Sequence, residues 1–228
     1  MVIKGLVSSR SQAESWIGLG KVTVDGRPVT KPGLFVQNNA DVRLAATEQY
    51  VSRAGLKLAS VAELLGVKFT DQVVLDVGSS TGGFTDYVLR RGAKKVVAVD
   101  VGTDQLHPSL RGDKRIELHE KTDIRDFQTD EQIDLVVIDV SFISLRDILP
   151  SVVRIAPRAQ VIAMVKPQFE AGREQVSKGV IKNDAIRRQI LRDFEIWSKQ
   201  YFVIQGKRDS EVAGTKGNRE RFYLLNIS

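Results

Sequence analysis

The chain has 228 residues, of which 42% are hydrophobic and 27% charged, a composition typical of a soluble globular protein. No apolar run approaches the ~20 residues that a membrane-spanning helix needs, and the N-terminus lacks the apolar core of a signal peptide. The absence of cysteine excludes disulfides and thiolate zinc sites. We therefore expect a cytoplasmic protein that contains one full α/β domain and a smaller one.

The net charge of +6 is distributed unevenly along the chain. Residues 1–50 carry six Lys and Arg against four Asp and Glu, and residues 171–228 carry twelve against seven. Residues 51–170 instead carry sixteen against seventeen. Positive charge at both ends fits either an ordinary solvated surface or a polyanionic partner, for which nucleic acid is the first candidate.

The first 45 residues predict a small basic α+β module. The stretch from Ser9 to Gly20 is typical of a short helix, with Ser9 as its cap and Gly20 as its stop. The sequence Lys21–Val29 alternates, and its central Asp25-Gly26 is a strong signal for a hairpin turn. The stretch Asp41–Leu44 predicts a strand that closes the module.

The rest of the chain alternates between strand and helix patterns. Ser52 is placed to cap a helix from Arg53 to Leu65. The predicted strands are Val73–Val77, Lys95–Val101, Arg115–Glu120, Asp134–Val140 and Gln160–Lys166, and the helices between them begin near Gly83, Asp104, Thr122 and Ser144. The chain then predicts a mobile loop over Pro167–Lys182, a helix over Asp184–Gln200, and strands over Tyr201–Gly206 and Arg221–Ile227. This alternation favours a Rossmann-like, doubly wound parallel sheet with helices on both faces and a ligand at the carboxyl ends of its strands.

The stretch from Val73 to Thr85 predicts a buried strand that runs into a ligand-binding turn. Its pattern, Asp76-x-Gly78-x-x-x-Gly82-Gly83, differs from the G-x-G-x-x-G of dinucleotide sites, which accommodates a pyrophosphate. An acid ahead of the turn suits a ligand with a cationic end, such as S-adenosylmethionine, whose amino or sulfonium group Asp76 would face. The candidate cofactor-binding residues of the turn are Asp76, Gly78, Ser80, Gly82, Gly83, Phe84 and Thr85.

Two further acids follow the next predicted strands. Asp100 is placed to accept hydrogen bonds from both ribose hydroxyls, and the alternative is a cap at the end of its strand. Asp123 is placed to accept from the adenine amino group, and the alternative is a cap of the short helix predicted there. Both acids are therefore candidate cofactor-binding residues.

Opposite charges follow two other apolar strands. Asp139 comes directly after Val136-Val137-Ile138, and Lys166 comes directly after Met164-Val165. Because both lie at the ligand end of the predicted sheet, the pair favours a functional site. The spacing of Lys57 and Glu220 favours ordinary surface charge, although Lys57 is flanked by leucines and could point into the same cleft.

The N-terminal module resembles the RNA-binding domain shared with ribosomal protein S4. The family pattern S-R-S-x-A followed by I-x-x-G-x-V-x-V-N-G is matched from Ser9 to Gly26, with Asp25 in place of the usual Asn. The first helix of that domain is expected to be missing or shortened, because the chain starts eight residues before Ser9. The resemblance implies that residues 1–45 bind RNA.

Almost the whole chain, with both domains, resembles the TlyA family, which was named for hemolysins and contains ribosomal-RNA ribose methyltransferases related to FtsJ. The stretches that carry the resemblance are Ser52–Leu58, Leu75–Thr85, Asp139–Leu145, Val165–Glu170 and Lys216–Glu220. It implies a linker at residues 46–52 and a methyltransferase domain at residues 53–228. It also implies a catalytic tetrad of Lys57, Asp139, Lys166 and Glu220, and cytidine in ribosomal RNA or ribosomal subunits as the substrate.

The tetrad suits transfer of a methyl group from S-adenosylmethionine to a ribose 2′-hydroxyl. The cofactor carries an activated methyl group, so no metal is expected, and the protein must align the reactants and help the hydroxyl lose its proton. Lys166 would act as a base, or equally as a cation that stabilises the alkoxide.

Two other functions remain open from the sequence. One is an RNA-binding protein that keeps the fold without turnover, which is motivated by the shortened first domain and by two departures from the family, Glu211 and Arg221. The other is a membrane-lytic hemolysin, for which the sequence offers no basic amphipathic helix beyond one with an ordinary core face.

Overall fold

The computed structural model of the protein describes residues 1–7, 10–45, 50–176, 179–214 and 217–228. The predicted cap Ser9 and residues 46–49 of the predicted linker lie outside the described residues, as do Ser177 and Lys178 of the predicted loop. Among the described residues, no helix has the length and apolar character needed to cross a membrane.

The N-terminal module consists of one helix and a three-stranded antiparallel sheet. Helix α1 (Arg10–Gly18) precedes β1 (Val22–Val24), β2 (Arg27–Val29) and β3 (Val42–Leu44), and the strand order is β2-β1-β3. The two residues between β1 and β2, Asp25 and Gly26, have φ values of 50° and 77°. Positive φ at both positions is what a tight hairpin turn of type I′ requires, so the predicted hairpin is confirmed.

The main sheet has seven strands in the order β6-β5-β4-β7-β8-β10-β9. Strands β4 to β8 pair in parallel, and β10 is antiparallel to both β8 and β9. The strands are β4 (Val73–Val77), β5 (Lys95–Val99), β6 (Ile116–His119), β7 (Leu135–Ile138), β8 (Gln160–Val165), β9 (Phe202–Asp209) and β10 (Arg221–Ile227). The parallel, Rossmann-like part of the sheet is therefore as predicted, and the final hairpin makes the sheet mixed.

Helices cover both faces of this sheet. Helices α2 (Arg53–Ala62) and α3 (Gly83–Arg90) share one buried core with the even-numbered residues of β8, and helices α4 (Leu145–Ile155) and α6 (Asp184–Ser198) share the other core with its odd-numbered residues. This division follows from the strand pleat, in which successive side chains point to opposite faces. A short helix, α5 (Pro167–Glu170), and a 3₁₀ turn (Arg173–Gln175) follow β8. The segment predicted as a loop after β8 thus contains two short helical turns.

Two predicted helices do not form. Asp104 has a left-handed φ of 56°, which no residue inside a right-handed helix can adopt, and the segment around it folds as bends and turns. Near Thr122, the carboxylate of Asp123 accepts the backbone N–H of Arg125 at 2.9 Å. The same carboxylate also accepts from the Arg125 guanidinium, and the chain forms a single turn at residues 124–126 in place of the predicted short helix.

The junction between the two modules is packed against helix α3. The Gln12 side chain donates to the Tyr50 carbonyl at 2.8 Å, and the backbone N–H of Val51 donates to Asp86 Oδ2 at 2.8 Å. Helix α2 begins directly after this junction, and a Cβ on its Gly55 would lie 2.9 Å from the carbonyl oxygen of Gly83. Such close backbone contact, which only glycine permits, fixes α2 beside the start of α3.

Candidate active site

The turn after β4 brings bare backbone to the carboxyl edge of the sheet. Gly78 has a φ of 81°, and its N–H donates to the Val99 carbonyl at 2.9 Å. Gly82, with a φ of 85°, is the N-cap of α3. Ser80 is also left-handed, with a φ of 45°, and its N–H donates to Asp100 Oδ2 at 2.9 Å. Hydrogen bonds to the Val99 carbonyl and to the Asp100 side chain therefore fix the turn against the end of β5.

Gly78→Ala is expected to lower both stability and activity. A Cβ at this position would lie 2.8 Å from the backbone oxygen of Asp139 and would force alanine into a left-handed conformation. The conformational term alone costs roughly 1–2 kcal/mol. Urea unfolding of the variant measures the loss, and Gly112→Ala is the control because Gly112 has open space around it. Equal stability of the two variants would contradict the tight fit.

A cavity of about 540 Å³ opens beside the turn, between the ends of β4, β5 and β7. It is lined by Gly78, Ser80, Asp100, Asp123 and Asp139 of the predicted site, together with apolar walls that include Val101, Ile124 and Ile148. Asp100 accepts backbone N–H groups from Ser80 at 2.9 Å and from Gly102 at 2.6 Å. Because an ionised carboxylate has about four acceptor positions, Asp100 retains capacity for a ligand.

Asp123 lies on the same cavity wall, and its carboxylate is engaged by a neighbour. The Arg125 guanidinium donates to both of its oxygens, at 3.0 and 2.7 Å, and lowers the pKa of Asp123 below its usual range. The structure therefore gives this acid a local role in a turn, and the short helix that it was alternatively expected to cap does not form. Its contact with an adenine amino group stays a prediction.

A smaller cavity of about 140 Å³ lies on the other side of the turn, and Lys166 and Asp139 line it. Lys166 Nζ lies 2.6 Å from Asp139 Oδ1 and donates to Ser141 Oγ at 2.7 Å. The Lys166 and Asp139 side chains are only 10% and 15% exposed. The turn residues Gly78, Ser80, Gly83 and Phe84 complete the wall. An amino group is thus held beside the turn by two oxygens.

Lys57 and Glu220 form a second ion pair, with side chains 9% and 3% exposed. Lys57 projects from α2 and lines a third cavity of about 460 Å³, which shares Ala54 and Thr81 with the cavity of Lys166. The reading of these two residues as surface charge, which spacing favoured, is therefore wrong.

The strand pleat explains why the four charged residues share a face. Val137, Met164 and Phe222 contribute to the core under α2, so continued alternation places Asp139, Lys166 and Glu220 on that same face. The register pairs Arg221 with Val165, which puts Glu220 opposite Lys166 on adjacent strands. The sheet therefore gathers Asp139, Lys166 and Glu220 at one end of one face, and helix α2, which covers that face, adds Lys57 through its ion pair with Glu220.

Asp76, Gly82 and Thr85 lie behind the turn, not on the walls of the three cavities. Asp76 is fully buried, and the Thr85 hydroxyl donates to its Oδ2 at 2.6 Å. Burial raises the pKa of Asp76 to about 7 against the lowering effect of the Thr85 hydroxyl, and the negative charge of Asp139 adds to the rise. The sequence predicted that Asp76 faces the cationic ligand directly. Because Asp76 lies behind the turn, its charge would instead act on the ligand at a distance.

Asp76→Asn is expected to change the pH dependence of stability. A carboxyl whose pKa is raised on folding stabilises the folded state below its unfolded pKa, and this contribution is lost as pH rises towards about 7. Asparagine does not titrate. The unfolding free energy of Asp76→Asn relative to wild type should therefore rise by about 3 kcal/mol between about pH 5 and pH 8, at ~1.4 kcal/mol per pKa unit. Urea titrations at both pH values measure it, and a difference independent of pH would contradict the burial effect.

Two serines contribute to the site without having been singled out from the sequence. Ser141 holds Lys166 and lines both the 540 Å³ and the 140 Å³ cavities. Ser79 lines the smaller cavity, and its buried hydroxyl has no hydrogen-bond partner in the described part of the chain. Ser79 directly follows Gly78, Ser141 lies two residues after Asp139, and both fall in stretches that carry the family resemblance, but a serine in a turn is too common to stand out by itself.

The site combines a glycine-rich turn with an adjoining lysine amino group. Comparison with known proteins shows the family of the chain that carries this site. Residues 50–227 match the profile of the FtsJ-like methyltransferase family, and residues 1–42 match that of the S4 domain. The chain belongs to the FtsJ-like methyltransferase family. Both resemblances seen in the sequence are thereby confirmed.

Full-length relatives place the chain among the TlyA proteins of this family. It is 39% identical over 233 residues to the 16S/23S rRNA (cytidine-2′-O)-methyltransferase TlyA of Mycobacterium tuberculosis, across 99% of this chain and 87% of the relative. It is 38% identical to Hemolysin A of Brachyspira hyodysenteriae, across 98% of this chain and 95% of the relative. A solved structure from Streptococcus thermophilus, described as a hemolysin, has a TM-score of 0.77 at 37% identity and covers 98% of this chain and 84% of its own.

Proposed function

We propose that this FtsJ-like methyltransferase is an enzyme that transfers a methyl group from S-adenosylmethionine to ribose 2′-hydroxyls of ribosomal RNA, with cytidine as the target nucleoside. The observation that carries the proposal is the amino group of Lys166, which Asp139 and Ser141 hold on the wall of a cavity beside the cofactor turn. The relative from Mycobacterium tuberculosis, named for cytidine 2′-O-methylation of 16S and 23S rRNA, supports the substrate class.

The residues around the turn fit the proposed cofactor. Apolar walls and Asp100 in the 540 Å³ cavity suit a flat base and a ribose with two hydroxyl donors. The buried hydroxyl of Ser79, which lacks a partner in the described part of the chain, lines the 140 Å³ cavity where the cationic amino-acid end would bind, and the charge of Asp76 would act on that end from behind the turn. Gly78 leaves the space next to Asp139 open, which a Cβ would fill.

The chain's own residues would orient the acceptor and handle one proton. When bound, S-adenosylmethionine supplies a methyl group already activated for transfer to an oxygen. We assign Lys166 the contact with the reacting 2′-hydroxyl, where its amino group either accepts the proton or, as an ammonium, stabilises the alkoxide as the proton leaves. Asp139 and Ser141 fix the position of that amino group, and alignment of this kind supplies much of the rate of a transfer reaction.

Lys57 and Glu220 would complete the acceptor side of the site. Their ion pair is buried beside the cavity that Arg53, Thr81 and His107 also line. A cationic side chain at that place suits the phosphates that flank a target ribose. The pair would therefore shape the pocket in which the acceptor ribose lies.

The N-terminal module would supply additional contacts with RNA. We propose that residues 1–45 form the RNA-binding unit, that residues 46–52 link it to the enzyme, and that residues 53–228 carry the reaction. The S4 match over residues 1–42 and the positive charge of both chain ends support this division. Ribosomal RNA, free or in a ribosomal subunit, is the proposed substrate, because a separate RNA-binding unit lets one enzyme contact two parts of a large RNA.

A methylation assay with purified components tests the function. The protein is incubated with methyl-labelled S-adenosylmethionine and with small ribosomal subunits, large subunits or deproteinised ribosomal RNA, and the RNA is digested to nucleosides. We expect label in 2′-O-methylcytidine from at least one of the three RNAs. Label on a base, or no incorporation into any of the three RNAs, would contradict the proposal.

A further inference from the structure

Glu170 is a buried carboxylate that the proposed chemistry does not use. It ends the short helix α5, four residues after Lys166, and its side chain is only 1% exposed. The Ser144 hydroxyl donates to Glu170 Oε2 at 2.6 Å, and the Leu145 N–H donates to Oε1 at 2.7 Å. Both donors lie at the start of α4, so Glu170 joins the segment after β8 to the segment after β7.

These two segments carry the Lys166 cluster. Residues 139–145 begin with Asp139 and include Ser141, and residues 166–170 begin with Lys166. Contacts join them along their length: Lys166 to Asp139 and Ser141 at the cavity, the Phe142 and Phe169 rings at 5.2 Å in the middle, and Glu170 to the start of α4 at the far end. We call this set of contacts the loop clamp.

The strand ladder holds these segments only at their start. The Asp139 N–H donates to the Val77 carbonyl of β4 at 3.0 Å, and β8 pairs with β10 up to Val165. Parallel pairing of β7 with β8 already ends at Ile138 and Ala163, so the segments are not joined to each other by it. Phe142, in the middle of the first segment, has a left-handed φ of 66°, a strained backbone that needs support from its surroundings. Glu170 supplies an anchor at the end of this segment that is distant from Lys166.

The environment of Glu170 suits an anchor. A buried carboxylate is tolerated when hydrogen bonds satisfy it, and the exposed N–H groups at a helix start favour negative charge. Arg146 Nε lies 3.7 Å from Glu170 Oε2. Burial nevertheless raises the pKa of Glu170 above its usual range, because the donors at Ser144 and Leu145 offset it only in part.

We propose that Glu170 is a positioning residue, which holds residues 139–145 against residues 166–170 so that Asp139 and Ser141 keep the amino group of Lys166 in its reactive place. Glu170 touches neither cavity nor cofactor turn, and it acts through Lys166. The inference rests on the proposed function and adds to it a residue outside the tetrad.

Three variants test the clamp by steady-state methyl transfer. Glu170→Ala should lower kcat at least about tenfold, while KM for RNA and Kd for S-adenosylhomocysteine stay within about threefold of wild type. Glu170→Gln should retain activity within about threefold, since its amide oxygen can accept from Leu145 and its amide nitrogen can donate to Ser144. Glu174→Ala, which removes an exposed carboxylate from the same segment, should match wild type.

A double variant separates positioning from general stability. If Glu170 acts through Lys166, adding Glu170→Ala to Lys166→Ala should change the residual rate less than about twofold. A tenfold loss of the residual rate when Glu170→Ala is added to Lys166→Ala would overturn the proposal. Among the single variants, an unchanged kcat in Glu170→Ala would also overturn it. So would losses of kcat that are equal in Glu170→Ala and Glu170→Gln. A parallel loss of S-adenosylhomocysteine binding and of Tm would also overturn it.

Hydrogen exchange gives a readout that does not need the proposed function. In intact Glu170→Ala, the Leu145 amide should exchange at least about tenfold faster than in wild type, and in Glu170→Gln it should stay within about threefold. Should the wild type transfer no methyl group, the proposed function fails while fast Leu145 exchange still supports the clamp. Unchanged Leu145 exchange in Glu170→Ala overturns the clamp whether or not the protein is active.

Discussion

Lys166→Ala is expected to slow methyl transfer by roughly 10²- to 10⁴-fold, the range that a positioned acid–base group contributes. The variant lacks the amino group that Asp139 and Ser141 hold beside the cofactor turn. Affinity for S-adenosylhomocysteine should stay within about threefold of wild type, because its base and ribose would lie in the 540 Å³ cavity, which does not include Lys166. Single-turnover assays and calorimetry measure the two quantities.

Lys68→Ala is the matched control for this variant. Lys68 is an exposed lysine that precedes β4, at the amino edge of the sheet and opposite the cofactor turn. We expect it to transfer methyl groups at the wild-type rate. If Lys166→Ala were as active as Lys68→Ala, the reactive amine would have to be another group, and the catalytic assignment would fail.

The same experiment separates an enzyme from an RNA-binding protein without turnover. A wild type that binds S-adenosylhomocysteine and RNA but transfers no methyl group would favour the second function. The departures that motivated it do not disturb the site, however. Arg221 lies on the other face of β10 from Glu220 and donates to Asp209 at 2.6 Å, and Glu211 is exposed. Glu220 keeps its ion pair with Lys57.

Glu220→Ala is expected to destabilise the protein by about 3–5 kcal/mol, the usual cost of removing one partner of a buried ion pair. The loss arises because Lys57, with 9% of its side chain exposed, would remain charged and buried without Glu220. Urea unfolding measures the free energy of unfolding.

The double variant Lys57→Met with Glu220→Met serves as its control. Apolar replacement of both partners of a buried pair is often neutral or stabilising, so stability should return to within about 1 kcal/mol of wild type. Methyl transfer should stay impaired, because the cationic side chain beside the acceptor pocket is gone. A stable and fully active double variant would show that the pair has no role in the reaction.

The sequence predicted the parallel strands β4, β5, β7 and β8 because each is an apolar run followed by Gly, Asp or Lys, whereas β6 alternates apolar and polar residues. The sequence also predicted helices near Asp104 and Thr122 that do not form. The left-handed backbone of Asp104 and the local side-chain bonds of Asp123 favour turns there. The sequence also predicted the last two strands. It did not predict that β10 lies between β8 and β9, because the order of strands in a sheet depends on contacts between distant residues. The predicted loop after β8 concealed the helix that ends in Glu170.

The candidate site was predictable to a similar degree. Asp139 and Lys166 follow buried strands, and this local signal places them at one edge of the sheet. Lys57 and Glu220 have no such signal, since their burial arises from the packing of α2 on β10, and only the family resemblance drew attention to them. Glu170 reads as an ordinary surface acid in the sequence, because its partners Ser144 and Leu145 are about 25 residues away.

Mapping ribose methylation on cellular ribosomal RNA is the most direct test of the function. Cells that lack the gene are supplied with the wild type, Lys166→Ala or Lys68→Ala, and 2′-O-methylated positions are compared across both ribosomal subunits. We expect one or more 2′-O-methylcytidines that depend on the wild type or Lys68→Ala and disappear with Lys166→Ala. An identical methylation pattern in all three strains would contradict the proposal that this protein is a ribosomal-RNA ribose methyltransferase.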